Sequence, residues 1–426
     1  MRTRRSGLLA VAMATMLVLA AACGDDGDGG GGGDNTEVEV FTWWTGPGEG
    51  EGLAELERLF TEANPDIEFI NAAVAGGGGE QARALLTNRM QANDPPDSFQ
   101  GHAGKELLDY IEAGQLEDLT YLYEQEGWLD VFPEDLIEQV TVDGKIYSVP
   151  VNIHRANLLW FNPETLNDLG IEAPPTTWSE FLDQAQEIQA AGKIPLAIGP
   201  LWTQEHLLET VLLGELGPEA YTGLWDGTTS WTDPSVVAAM EVFSDVLDVS
   251  DLDEAASDWQ PQLDKLVNGS AAYAVMGDWA FAYLDSNLGL TYEQQYNAVA
   301  SPGSDGVFDW LSDSFTIPVG AQNKEAAEEW LRICGSREGQ DAFNVLKGSV
   351  PARTDADTSL YTDYLAWNLP QWTDPNTVLV PSLAHGAAAS NAFKNQIEEH
   401  LGTFVGDRDA VKFTENVQSA YESTSG

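Results

Sequence analysis

A chain of 426 residues is too long for one ordinary hydrophobic core and points to two domains. Its hydrophobic content of 43% is that of a globular protein. With 19 Lys and Arg against 69 Asp and Glu, the net charge is −50, which argues against a nucleic-acid partner because binding one needs a basic face. Such acidity keeps a chain soluble by self-repulsion and is compatible with a saline habitat.

The N-terminus reads as a secretory signal over residues 1–22. MRTRR is a basic n-region, and GLLAVAMATMLVLAAA is an apolar run ending in small residues. Its 16 residues are short for a spanning helix, which needs about 20. The stretch LAAAC resembles a bacterial lipobox, so Cys23 is the expected lipidation site and mature N-terminus. Removing Arg2, Arg4 and Arg5 with the signal makes the mature chain more acidic still. GDDGDGGGGGDN follows; it has nothing to bury, and residues 23–36 are expected to form a lipidated tether. The other cysteine, Cys334, lies in the apolar-patterned EEWLRICG and is expected in the core; with Cys23 lipidated, no intrachain disulfide can form.

From Glu37 the pattern alternates. EVEVFTWW is strand-like, LAELERLFTEAN has apolar residues at helical spacing, and DIEFINAAV is a second strand. EQARALLTNRMQAN is a helix ending before PPD, and DSFQGHAG runs from strand to loop. This order predicts an α/β fold with a largely parallel sheet. IYSVPVNI is a longer β-rich run, WSEFLDQAQEIQAA and AAEEWLRICG are helices, and AAYAVMGDWAFAYL and LSDSFTIPVG are strand-and-turn segments.

Open α/β sheets bind ligands beyond the carboxyl ends of their strands. Residues read at those ends are Trp43, Trp44 and Glu49, then Gln100 and His102, Asp278 and Trp279, Asp313, Lys347 after FNV, and His385 after VLVPSLA. Trp259 is likewise flanked by turns. A flat indole covers the C–H face of a pyranose at little entropic cost, and carboxylates, amides and imidazoles supply the partners that buried hydroxyls require. Trp178, Trp225 and Trp330 read as core, and pattern alone leaves Trp43 and Trp44 between core and cleft. Asp278 and Asp313 could instead be turn caps, or the carboxylate pair of a secreted glycoside hydrolase.

Other motifs fail their own tests. VAGGGGEQAR lacks the GK[ST] ending of a phosphate loop, although its glycines could let backbone approach a neutral ligand. DVSDLDEAASD lacks the Gly and terminal Glu of a calcium loop. His102, His154, His206, His385 and His400 form no zinc spacing, and no GxSxG elbow is present.

The segments FTWWTGPGEGEGLAEL, INAAVAGGGGEQARALLTNRM, NDPPDSFQGHAGKEL, YSVPVNIHRANLLWFNP, WTQEHLLETVLLGELGP, AAYAVMGDWA, WLSDSFTIPVGAQN, GSREGQDAFNVLKGS and LAHGA together resemble the extracellular solute-binding proteins of bacterial ABC sugar importers, most of all the glucose/galactose-binding type. The resemblance spans essentially the whole mature chain. It implies a two-lobed periplasmic-binding-protein-like fold with a ligand cleft between the lobes. One lobe would hold 37–147 and 303–347, the other 148–302 and 348–426. IYSVPVNI, SPGSDGVF and LKGSVPAR would be the hinge crossings. It also implies a sugar site of Trp43, Trp44, Glu49 (or Glu51 beside it), Gln100, His102, Trp259, Asp278, Trp279, Asp313, Lys347 and His385. No catalysis, cofactor or metal is implied. The expected partners are a monosaccharide, glucose or galactose, and a transporter permease. The protein would be a monomer outside the cytoplasm, held to the membrane by its lipid alone.

Overall fold

The computed structural model describes residues 36–252 and 258–424. The expected signal, Cys23 and most of the tether lie outside these residues, as do 253–257 of the acidic stretch. Among the described residues no helix is long and apolar enough to cross a membrane.

Two five-stranded sheets and a four-stranded one organise the chain. The first sheet has the order Glu68–Asn71, Glu37–Phe41, Ser98–His102, Asp313–Thr316, Val149–Pro150. Its first three strands are parallel; Asp313–Thr316 runs antiparallel to both neighbours. The second has the order Ser250–Leu252, Ile194–Ile198, Ala271–Val275, Leu158–Phe161, Asn297–Ala300, again parallel on one side and antiparallel on the other. The expected largely parallel sheet is therefore two mixed sheets. βαβ units build the parallel half of each, and strands beside a linking sheet turn back to complete it.

The four-stranded sheet, in the order Val350–Pro351, Asn152–Arg155, Val307–Leu311, Val378–Pro381, is that link. IYSVPVNI is not one long strand. It breaks into Lys145–Ile146, Val149–Pro150 in the first sheet, and Asn152–Arg155 in the link. Pro150 has no N–H to continue a ladder, so a break there is natural. SPGSDGVF and LKGSVPAR likewise each run into a strand of the link.

Each five-stranded sheet has its own apolar core. Val38, Val40, Leu56, Phe60 and Trp330 belong to the first, and Leu196, Ile198, Phe243 and Ile397 to the second. The helix Glu49–Ala63 buries Leu53, Leu56, Leu59 and Phe60, the stripe its spacing predicts. Trp178, Trp225, Trp330 and Cys334 are buried, as expected of core residues. A third, aromatic cluster contains Trp160, Trp202, Trp259, Trp279, Tyr296 and Tyr364, and part of it reaches the space between the two sheets.

Candidate functional site

The first sheet brings its polar residues to one edge. The antiparallel strand starts at Asp313, registered against His102 where the parallel strand Ser98–His102 ends. One carboxylate and one imidazole thus face the same opening. Trp43 leaves the strand Glu37–Phe41 at that edge, and Glu49 begins the next helix. Opposite them, Trp279 follows the strand Ala271–Val275, Trp202 lies in the first turn of the helix Leu201–Asp226, Trp259 stands at the N-cap of Gln260–Val267, and His385 follows Val378–Pro381. His154 and Leu311, from the linking sheet, complete a cavity walled by all of these together with Lys347. It leaves about 110 Å³ for the centres of water-sized molecules, several times the roughly 10–15 Å³ that a single water needs. Trp43, Trp259 and Trp279 are 5–6% exposed, so the walls are drawn together.

Eight of the eleven expected residues line this cavity: Trp43, Glu49, His102, Trp259, Trp279, Asp313, Lys347 and His385. Three do not. Trp44 is 1% exposed and packs in the first core, its ring 4.3 Å from Phe343 and 5.2 Å from Phe315. Adjacent residues of an extended chain point to opposite sides, so only one indole of the pair can face the cavity. Gln100 is a buckle behind the wall. Its Oε1 accepts from the Thr42 hydroxyl and from the Trp43 N–H (3.2 Å), and its Nε2 donates to Asp313 Oδ1 (2.8 Å). Asp278 is fully buried and accepts from the His154 Nδ1–H, the Arg155 N–H (3.0 Å) and Asn368 Nδ2 (3.2 Å).

The choice between Glu49 and Glu51 has a geometric answer. Glu51 Oε2 accepts from the Gly48 N–H at 2.8 Å, capping its own helix. Glu49 faces the cavity, where its Oε1 lies 2.7 Å from Lys347 Nζ. Lys347 was expected at a strand end; it is the last residue of the helix Arg337–Lys347.

His154 is the main residue that sequence reasoning missed. Its Nδ1 meets Asp278 and its Nε2 lies 3.2 Å from Asp313 Oδ2, so one imidazole joins a carboxylate behind the second sheet to one on the first. Burial pushes the His154 pKa down, but Asp278 and Asp313 outweigh it and raise the pKa. Burial works the other way on Asp313, and His154, His102 and Lys347 hold it well below the usual carboxylate range. Asp278 and Asp313 thus clasp the same imidazole, and Asp278 has no face on the cavity. They cannot straddle a glycosidic bond there, so these two are not a hydrolase's carboxylate pair. The available signal was the polar alternation of NIHR inside an otherwise apolar crossing.

Trp202 was also missed as wall, whereas the glycine loop was expected only to let backbone approach a neutral ligand. Ala75, Gly76 and Gly78 line the cavity. Gly76, Gly78 and Gly79 have φ of 146°, 62° and 73°, and a Cβ on Gly79 would lie 2.9 Å from the Trp43 ring. The loop therefore brings backbone to the indole, as its composition allowed.

This architecture, two mixed α/β sheets on a strand link around an aromatic and charged cavity, is that of a two-lobed ligand receptor. The chain belongs to the bacterial extracellular solute-binding proteins, whose family model matches residues 36–341. It is 31% identical to an uncharacterised ABC transporter extracellular-binding protein of Pyrococcus horikoshii, over 86% of this chain and 82% of that one. It is 30% identical to a xylose/arabinose-binding protein of Haloferax volcanii, over 78% and 72% of the two chains. In structure it is similar to a chitin oligosaccharide binding protein, with a TM-score of 0.80 at 23% identity over 92% of this chain and all of that one.

Proposed function

We propose that the protein captures a neutral monosaccharide, a hexose of the glucose or galactose type, and delivers it to an ABC transporter permease. The observation that carries this reading is the cavity itself. Four indoles, of Trp43, Trp202, Trp259 and Trp279, face a space that also holds carboxylates, imidazoles and one ammonium. Indole faces suit the C–H faces of a pyranose, and Glu49, His102, Asp313, Lys347 and His385 suit its hydroxyls. Oligosaccharides would require a longer, open groove, and the similarity to a chitin oligosaccharide binding protein supports the fold alone. The resemblance to a xylose/arabinose-binding protein favours a single-ring ligand.

Two rigid lobes, 37–147 with 303–347 and 148–302 with 348–426, would open about the linking sheet to admit sugar. The bound sugar bridges both walls and shifts the population to the closed form that a permease would recognise. In this reading the protein is a monomer outside the cytoplasm, tethered by lipid on Cys23, and performs no catalysis.

Calorimetry with a panel of pentoses, hexoses and oligosaccharides tests the proposal. One hexose should bind, maltose and longer sugars should not, and no reducing ends should appear on incubation with oligosaccharides. Absence of binding to every hexose would sink it.

A further inference from the structure

Behind the cavity wall His206 meets His385. His206 is fully buried on the helix Leu201–Asp226 and is not part of the wall, whereas His385 is. His206 Nε2 lies 2.8 Å from the Ala156 carbonyl oxygen. A carbonyl only accepts, so Nε2 carries the hydrogen and Nδ1 of a neutral ring is bare. Burial lowers the His206 pKa to about 4, which keeps the ring neutral. The bare Nδ1 faces His385 Nε2 at 3.4 Å. His385 Nε2 must then be the donor. Burial above all, with the Lys394 ammonium nearby, lowers the His385 pKa well below its ordinary value. A neutral His385 with its hydrogen on Nε2 has a bare Nδ1, for which no bond is found among the described residues.

We propose that His206 is a positioning residue that sets the tautomer of His385, so that His385 meets the ligand through Nδ1 as a hydroxyl acceptor. The opposite wall has the complementary device. His102 Nδ1 lies 2.6 Å from Glu106 Oε2, so its hydrogen points away from the cavity and Nε2 is the ring nitrogen left nearer Asp313. The hydroxyl facing His385 must therefore donate, which makes that contact selective for a hydroxyl over a fluorine or a methoxy group. The inference rests on the sugar-site reading for its consequence, while the tautomer itself is a property of the free protein.

A competing reading treats His206, Glu209 and His385 as a metal site, since their ligand atoms lie within 4.8 Å of one another. Glu209 is already committed elsewhere. It accepts from the N–H groups of Leu383 (2.6 Å) and Ala384 (3.0 Å) and from the Ser382 hydroxyl (3.0 Å), and so holds the loop that carries His385. This anchoring serves the histidine relay and leaves the carboxylate poorly placed as a ligand.

The experiment is long-range 15N–1H correlation NMR on the full mature protein with 15N-labelled histidine, each ring assigned by single substitution. The wild type should show His385 as the neutral Nε2–H form in the absence of sugar. His206→Leu should shift it toward the Nδ1–H form and weaken hexose binding tenfold or more. His206→Gln, whose amide oxygen can still accept, should retain both the tautomer and most of the affinity. A panel of monofluoro hexoses should contain one position at which wild type rejects the fluoro sugar as strongly as the deoxy sugar. An Nδ1–H form of His385 in wild type would overturn the proposal, as would a His206→Leu protein unchanged in tautomer and affinity. If no hexose binds, the sugar reading fails, and the wild-type spectrum still decides the tautomer.

Discussion

An indole on the cavity wall packs against protein and also lines the cavity, so truncating it should cost binding more than folding. Trp279→Ala should weaken hexose binding tenfold or more, about 1.4 kcal/mol, as read by calorimetry. Its ring lies 5.0 Å from His385 and 5.3 Å from His154, and an unchanged affinity would show that it is packing alone. Trp44→Ala should behave oppositely. It empties a site between Phe315 and Phe343 and should cost about 3–5 kcal/mol of stability, measured by denaturant unfolding. Glu106 gives a pH signature. Burial pushes its carboxyl up, but His102 and Arg83 bring it down to about 2. A depressed carboxylate stabilises the fold above its ordinary pKa of about 4.5 and loses that contribution as pH falls toward 2. Glu106→Gln should therefore flatten the acid limb of the stability profile between those values.

At the scale of elements, the site depends on turns that bring backbone close to rings. Gly79 has φ of 73°, and an added Cβ would lie 2.9 Å from Trp43. Gly79→Ala should strain the turn by about 1 kcal/mol and tilt the indole, so affinity should fall more than melting temperature does. An equal loss of both would mean that the turn matters only for folding. These elements were partly legible in the sequence. Strand ends after EVEVF, DSFQGH and AAYAV carry wall residues, because a parallel strand entering a helix must present its last side chains at the sheet edge. Lys347 was legible by type but not by element; it reaches the cavity from the end of a helix. His154 was hidden because the crossing strand that bears it is buried on both faces and its function depends on Asp278 and Asp313, 124 and 159 positions away.

For the molecule as a whole, the proposed closure would be a rigid-body movement about the linking sheet, and charge sets the conditions under which the fold is stable. A sugar that bridges Trp43 and Trp279 should reduce the radius of gyration in solution scattering; identical scattering with and without a saturating hexose would exclude hinge closure. The net charge of −50 implies strong self-repulsion. Salt screens it over a Debye length of about 8–10 Å near physiological strength, so the melting temperature should rise with added salt. Equal stability in low and high salt would show that the acidity is carried without cost.

The sequence by itself determined the α/β alternation, the crossing segments, the edges at which aromatic and polar residues gather, and the charge. These follow from local periodicity and composition, which require no partner. Only the tertiary structure decided which of those residues face the cavity. It turned Trp43 outward and Trp44 into the core, assigned Glu49 to Lys347 and Glu51 to a helix cap, and drew Gln100 and Asp278 back as supports for Trp43, Asp313 and His154. Such choices depend on distances between residues far apart in the chain, and those distances exist only once the two sheets have closed on their link.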